Sequence, residues 1–489
     1  MEEPIAHMKR PTIFTVSILA GLGLAACSDD APPPAEIRAR ISTDLAGVLR
    51  EANAAYEGGT EAMPGSAASA AMDRLLGGDS ETSLRIRDAV ARLAGPAASG
   101  AGLAAFAEPA DEPADPDAKL AALAEKLFTD ENHLGDGIYQ VPPELVCTRT
   151  EVDTSGNTTQ TVDAACAEKL AQAELRIRVS QSGGELRFAI QLDADHDEPL
   201  TIGLAKDAIS LTIDLDDAWH AATALGQLFG EDLPNAELAG QITGRLEILG
   251  AAHGKLTIDI DRAVSIAFAE QGAALDGPDA YRFASAKAKV LAVELDGAAK
   301  RGSYALGLGA TSAHVLDIFS TSADRDHYDL DLPGLTASSE FAAGQPLEIR
   351  NISLGDRTAS ISKNGTRASA IDLNPEDGRA LSATVALDPD TGAETLSVSP
   401  RLDLRIAVDH AAWGEAAPVY DVTQILLDGS VRSDEDGGQL EVMTGAFRIS
   451  TSPASYGFSA AAGQCVSATD EIDPTSSDFY TRWTVGACL

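Results

Sequence analysis

From about residue 137 onward, apolar residues recur at every second position, and this period decides what the chain can build. A strand turns successive side chains to opposite faces, so alternation gives sheets with one buried and one wet face, which is the mark of antiparallel pairing. Leu175-Arg-Ile-Arg-Val and Leu186-Arg-Phe-Ala-Ile-Gln-Leu flank Gly183-Gly184, which predicts a hairpin. Leu211, Ile213 and Leu215 fall on one face of the next segment, with Thr212, Asp214 and Asp216 on the other. Leu256-Thr-Ile-Asp-Ile-Asp repeats this pattern 45 residues later, and Leu404-Arg-Ile-Ala-Val-Asp is a looser third copy. Internal duplication and chance recurrence both remain open for so short a match. Alternation also marks 289–296, 347–354, 380–387, 394–399 and 440–449, with turns read at Asp390-Thr-Gly392 and Asp436-Gly-Gly438. The expected fold is mainly β: extended antiparallel sheets over 137–489, as one body or two subdomains, arranged as a sandwich, a curved meander or an open barrel.

An N-terminal helical region makes the whole α+β. Ile37, Ile41, Leu45, Val48, Leu49, Ala52 and Tyr56 recur at helical spacing. Further helical candidates span about 66–77, around Met72, Leu75 and Leu76, and about 83–94, with Ile86, Val90 and Leu93, so the helical region is read as 35–94. Residues 95–116 have the Ala, Pro and acidic composition of a linker. Asp115-Pro116 then has the form of an N-cap and first turn, predicting a helix over 117–135 with Leu120, Leu123, Leu127 and Phe128 on one face. A helical insert is expected near 217–230, capped by Asp216 or Asp217 and carrying Trp219, Ala222, Leu225 and Leu228.

At the amino end, Glu2 and Glu3 are unusual for an export signal, whereas Met8 is followed by Lys9, Arg10 and an apolar run from Ile13 to Ala26. A basic start, an apolar stretch and a small-residue cleavage site are the physical signature of a secretory signal, so 1–26 is read as a signal peptide with translation starting at Met8. The run is too short, and too diluted by Gly21 and Gly23, for a permanent span of about 20 apolar residues. Leu24-Ala25-Ala26-Cys27 resembles the lipobox of bacterial lipoproteins. That resemblance covers only the signal and its flank. It implies a diacylglyceryl thioether on Cys27, cleavage before it and acylation of the new amino terminus. Each buried CH₂ contributes about 0.8 kcal/mol, so several acyl chains would hold the protein firmly on a membrane. Ser28, rather than Asp, directly after the cysteine implies the outer membrane by the enterobacterial pattern, with the face undetermined. Residues 27–34 read as the lipidated cysteine and a Pro-rich tether.

The chain carries 36 basic and 75 acidic residues, a net charge of −39. So acidic a body is repelled by nucleic acid and by anionic headgroups, which argues against a DNA- or RNA-binding role. With Cys27 assigned to lipid, Cys147, Cys166, Cys465 and Cys488 remain, and an even number in an exported chain reads as disulfides. Four cysteines allow three connectivities. Proximity in sequence favours Cys147–Cys166 and Cys465–Cys488, and no pair has the close spacing that zinc prefers.

Searches for catalytic signatures fail: His-Glu-x-x-His, Gly-x-Ser-x-Gly and a Gly-rich phosphate loop ending in Lys are all absent. Ser360-Ile-Ser-Lys363 has the bare Ser-x-x-Lys spacing of penicillin-binding enzymes, but it lies in strand-like sequence rather than at a helix start. Asp193, Asp195 and Asp197 have the spacing of the first three calcium ligands. Glu198 and Leu204 stand where such a loop needs Gly and Glu, so a solvated acidic turn is the plainer reading. Asp388-Pro-Asp390-Thr-Gly-Ala-Glu394 is a weaker cluster of the same kind. His327 beside Asp324 and Asp326, and His410 after Asp409, have the form of bases with orienting carboxylates but lack a nucleophile. Aromatics make up 5% of the chain, too few for a sugar-stacking cleft. Three functions remain in view. The first is a non-catalytic, lipid-anchored scaffold or interaction module. The second is a carrier of lipid or another hydrophobic ligand in a curved sheet. The third is an anchored hydrolase with an acidic, calcium-assisted site.

Overall fold

A computed structural model describes residues 31–60, 116–152, 158–192, 198–230, 233–269, 272–316, 326–354, 358–374, 380–387, 393–414, 420–433, 439–453, 457–472 and 479–488. The fold is mostly antiparallel sheet with N-terminal helix, as the alternation predicts. The chain divides into two compact units, residues 1–51 with 112–249, and residues 52–111 with 250–489.

Unit 1 packs short helices on a seven-stranded meander. Helix α1 (Pro34–Arg40) runs through a π-helical turn (Ile41–Leu45) into α2 (Ala46–Thr60). Helix α3 spans Pro116–Leu127, with proline in the first turn, where its missing N–H costs nothing. It is shorter than the expected 117–135. The Asn132 amide donates to the carbonyls of Lys126 (2.8 Å) and Leu127 (3.0 Å), closing the helix, and strand β1 (His133–Gly135) begins directly after it. Strands β2 (Ile138–Gln140), β5 (Leu175–Ser182), β6 (Glu185–Leu192), β7 (Leu200–Leu204), β8 (Ala208–Asp214) and β9 (Asn235–Gly250) follow in order across the sheet. A separate hairpin, β3 (Thr148–Val152) with β4 (Thr158–Val162), lies between α4 (Pro143–Val146) and α5 (Ala164–Gln172). Cys147 and Cys166, at the two ends of that excursion, form a disulfide. The β5–β6 hairpin turns at Gly183 and Gly184 with φ of 58° and 87°, which only glycine adopts freely. Ile37 and Leu127 from the helices, and Phe128 just after α3, pack on Tyr139, Ile177 and Phe188, all fully buried.

The insert expected at 217–230 is α6 (Leu215–Phe229), ended by Gly230 at φ 74°. Its N-cap position is Asp214, which makes no side-chain cap bond, so neither Asp216 nor Asp217 is the cap. Both lie in the first turn, where their charge opposes the helix dipole. Alternation from Leu211 therefore stops at Asp214, and Leu215 is helical.

Unit 2 is a meander of long strands, most of them broken once near the middle. Strand β10 (His253–Ala269) pairs through its second half with β11 (Tyr281–Ser285) and through its first half with β12 (Ala288–Asp296). Strands β11 and β12 are thus the two arms of one long strand. The same holds for β13 (Arg301–Leu308) with β14 (Thr311–Leu316), and for β16 (Leu335–Ala342) with β15 (His327–Leu332). It holds again for β17 (Leu347–Ser353) with β18 (Ala359–Lys363), and for β20 (Leu381–Leu387) with β19 (Thr366–Leu373). Strand β21 (Glu394–Val408) again spans both arms, followed by β22 (Tyr420–Ser433) and β23 (Gln439–Pro453). Strand β23 then pairs with β24 (Gly457–Ala461) on one arm and β25 (Cys465–Ile472) on the other, and β26 (Phe479–Gly486) closes the set beside β25. Cys465 and Cys488 form the second disulfide.

The breaks align into a crease that divides the sheet into two walls: an inner-numbered wall through β12, β13, β16, β17 and β20, and a second through β11, β14, β15, β18 and β19. Residues that interrupt or bend a ladder stand at this level: Gly309, Pro333-Gly334, Asn374 at φ 47°, Pro400, and the facing pair Gly429 and Gly445. Polar bonds stitch the crease. The Ser285 and Thr311 hydroxyls lie 3.0 Å apart, and the Asp403 N–H donates to the Asn374 side-chain oxygen at 2.7 Å. A Cβ at Gly445 would fall 1.9 Å from the Asp428 carbonyl oxygen, and one at Gly429 2.5 Å from that of Thr444. Gly429→Ala and Gly445→Ala should each destabilise unit 2 by about 2 kcal/mol or more, by clash added to backbone strain. Gly183→Ala, where a Cβ meets nothing within 4 Å, should lose only about 1 kcal/mol from its left-handed backbone. Urea unfolding of the three variants against the parent checks the ranking.

Candidate functional site

In β10 the even-numbered side chains from Leu256 to Phe268 share one face, and pairing carries that face across unit 2. On one wall a row runs from Leu256 through Val293, Tyr304, Ser339 and Ile349 to Ala383. On the other a row runs from Ile266 through Phe283, Ala313 and Leu330 to Ile361. This apolar face lies inside the fold. Phe458 on β24 and Trp483 on β26, strands that do not pair and that belong to opposite walls, meet with ring centroids 5.0 Å apart. Around them Val442, Val466, Phe447 and Leu427 are buried in a filled core. The two walls therefore close on each other at the β21–β26 end.

At the β10–β13 end the same face is open. Leu306 is 53% exposed, and Leu256, Leu308, Phe268 and Phe283 are each exposed by more than a third. Singly exposed apolar side chains are ordinary, whereas five large ones on one face of the three strands β10, β11 and β13 mark a face left uncovered. The end of α2 within unit 2 covers one rim: Ala55 is buried against Leu295 and Phe341, and Gly58 approaches Gly297 so closely that a Cβ would lie 2.6 Å from its Cα. The inner face is thus filled at the β21–β26 end and exposed at the β10–β13 end.

The polar groups are mostly committed elsewhere. His314 is buried on the outer face, with Nδ1 2.6 Å from the Asp329 carboxylate and Nε2 3.1 Å from the Pro278 carbonyl. Both ring nitrogens are engaged, so the pair positions a loop rather than offering a free base. Asp326, beside His327, bonds to the Lys363 ammonium (2.7 Å) and the Asn364 amide (2.7 Å) and also feels the His327 ring. Those bonds, Lys363 foremost, hold its carboxyl below the usual range. Ser360 and Lys363 lie on strand β18, where Ser360 pairs with Asp331 and Lys363 with Tyr328 on the opposite face, so they do not converge. The Asp409 carboxylate accepts from the N–H groups of Ala411 and Ala412, which forms a turn. In unit 1 burial, and then Asp130, push the Tyr139 hydroxyl up to about 12. Two cavities, about 440 Å³ beside Arg301 and Arg350 and about 490 Å³ beside His220 and Leu225, are lined by ion-paired or exposed polar groups and the face of α6.

Cys27, the calcium candidates Asp193, Asp195 and Asp197, Asp324, and Asp388 with Asp390 lie outside the described residues. Among the described residues no group of three or more His, Cys, Asp or Glu side chains is placed to hold a metal ion, and no helix is long and apolar enough to cross a membrane. The sequence reading missed the His314–Asp329 pair, because it depends on the register between β14 and β15, and it missed Phe268 and Phe283, which lie outside the strongly alternating windows. No family model, curated protein or solved structure matches this chain.

Because its native partners depress the Asp326 pKa, their contribution to stability is present above the unfolded carboxyl value of about 3.9 and is lost as pH falls through the lower folded value. Asp326→Asn should therefore flatten the acid limb of the stability–pH curve below about pH 4 while leaving its shape near neutrality unchanged. Thermal midpoints across the acid range test this.

Proposed function

We propose that this chain is a lipid-anchored, non-catalytic envelope protein that carries a lipid or another elongated apolar ligand in the open end of the creased sheet. The observation behind it is the run of large apolar side chains, Leu256, Phe268, Phe283, Leu306 and Leu308, left exposed on the concave face of unit 2. Leaving such a patch in water costs roughly 25 cal/mol per Å², which an apolar partner recovers by covering it. The lipobox-like segment ending at Cys27 supports a membrane partner through the N-terminal lipid, and the outer membrane as location. A charge of −39 supports a body kept off nucleic acid and anionic surfaces. The filled β21–β26 core favours a second reading, in which the sheet is a scaffold and the open face an interaction surface for protein.

The full chain carrying Cys27→Ser, which cannot be acylated, should bind a dansyl-labelled fatty acid with a rise and blue shift of its emission. Leu306→Asp and Phe283→Asp should weaken binding at least about tenfold, a loss of about 1.4 kcal/mol. Ala305→Asp, on the polar face of the same strand, should leave it unchanged. Absence of binding, or equal loss in all three variants, contradicts the carrier reading. Separately, mass spectrometry of protein from its host should show an acylated amino-terminal cysteine corresponding to Cys27. An intact, unacylated amino terminus would remove the anchor.

A further inference from the structure

The loop that brings β10 round to β11, residues 272–280, is held by side chains from two neighbouring strands. Arg282 of β11 and His314 of β14 are register partners, so both stand on the same face. The Arg282 guanidinium donates to the Gly277 carbonyl at 2.9 Å. His314 Nε2 lies 3.1 Å from the carbonyl of the next residue, Pro278. On its other side, His314 Nδ1 lies 2.6 Å from the carboxylate of Asp329, its register partner on β15. Within the loop the Gly277 N–H donates to the Ala274 carbonyl at 3.1 Å, the Ala280 N–H donates to the Gly277 carbonyl at 3.3 Å, and Ala280 is fully buried.

The His314 ring therefore faces two acceptors. A carbonyl has no proton to give, and neither has an ionised carboxylate. Neutral imidazole carries one N–H, so it satisfies one partner and turns a lone pair toward the other. Only the doubly protonated ring donates to both. His314 is buried, and a buried acceptor left without a donor is costly. The charged groups around the ring come from each element packed on it. Arg282, and His327 with its ring centroid 5.4 Å away, oppose a positive ring. Asp329 favours one, as do Asp331 on the same face of β15 and Asp276 and Asp279 in the loop. Asp326, next to His327, is tied to Lys363 and Asn364, and β14 carries no charged side chain besides His314.

We propose that His314 is a proton-operated latch on the 272–280 loop. Protonated at both nitrogens, it ties Asp329 to the Pro278 carbonyl. When Nε2 gives its proton to solvent, Nδ1–H stays on Asp329 and the Pro278 carbonyl is freed. The latch is closed on the acid side of the histidine range and loosens as pH rises through it. The loop ends beside the stacked rings of Phe268 and Tyr281, whose centroids are 4.6 Å apart, so the latch governs one rim of the exposed inner face. It needs no ligand, and it stands whether or not that face carries one.

Hydrogen–deuterium exchange of the full chain carrying Cys27→Ser reads the latch. Protection factors, which divide out the intrinsic pH dependence of exchange, are compared for 272–280 at about pH 5 and about pH 8. A latch of this kind gives a fall of at least about tenfold at the higher pH, with the β22–β23 amides unchanged. In Asp329→Asn the amide accepts from a charged ring and donates to a neutral one, so loop protection should stay high at both pH values. A purely structural role for Asp329 would instead lower it at both. In His314→Gln the difference between the two pH values should vanish. Equal protection at both pH values in the parent would overturn the latch. So would a pH response that persists in His314→Gln, or a loss confined to the loop at both pH values in Asp329→Asn.

Discussion

Most strands of unit 2 are interrupted at the same level, and the inside of this unit exists because of that shared crease. An unbroken meander of this width would be a twisted open sheet with one apolar face unprotected. Breaking most of its strands near the middle lets that face fold onto itself, so that Phe458 and Trp483 meet across the gap at 5.0 Å. Backbone chemistry makes the crease local: glycine where two chains approach closely at Gly429 and Gly445, proline where a ladder donor is dispensable at Pro333, and hydroxyl pairing between Ser285 and Thr311.

How far the walls close is set by side-chain size and by strand count. At the β21–β26 end, bulky residues from both walls, including Leu427, Val442 and Phe447, fill the space, and the second disulfide holds the last strand segment beside Cys465. At the β10–β13 end the opposing residues do not meet, and Leu306, Leu256 and Phe283 stay exposed. On the outer face Glu294, Ser303 and Glu340 pair across neighbouring strands.

Much of this was legible in the residues. Alternation gave the antiparallel strands and the correct inward set in β10, because the buried parity there is the one that Leu256, Ile258 and Ile260 announce. The Gly183-Gly184 hairpin and both disulfides follow from equally local signals. The crease was not legible, since parity runs through β10 without a break and a bend leaves no mark on a two-residue period. Nor were the short helix α5, nine residues capped by Asp163 in a stretch read as sheet, and the cap of α6, where three acidic side chains within four residues, Asp214, Asp216 and Asp217, compete for the same role. The two Leu-Thr-Ile-Asp copies stand in unlike settings, one at the end of β8 leading into a helix and the other inside a 17-residue strand. The open end of the inner face depends on contacts between walls far apart in sequence, which no local pattern encodes.

Accessibility of the inner face at its two ends tests the account most directly. Single cysteines placed at Leu306 and at Val442, in the chain whose only other cysteines are the two disulfides, would be timed for reaction with an uncharged maleimide under native conditions. A sheet closed only at its β21–β26 end labels rapidly at 306 and is protected at 442 until the protein unfolds. Equal protection at both positions would mean that the walls close along their whole length, and equal labelling that they do not close at all; either result contradicts an inner face that is filled at one end and open at the other.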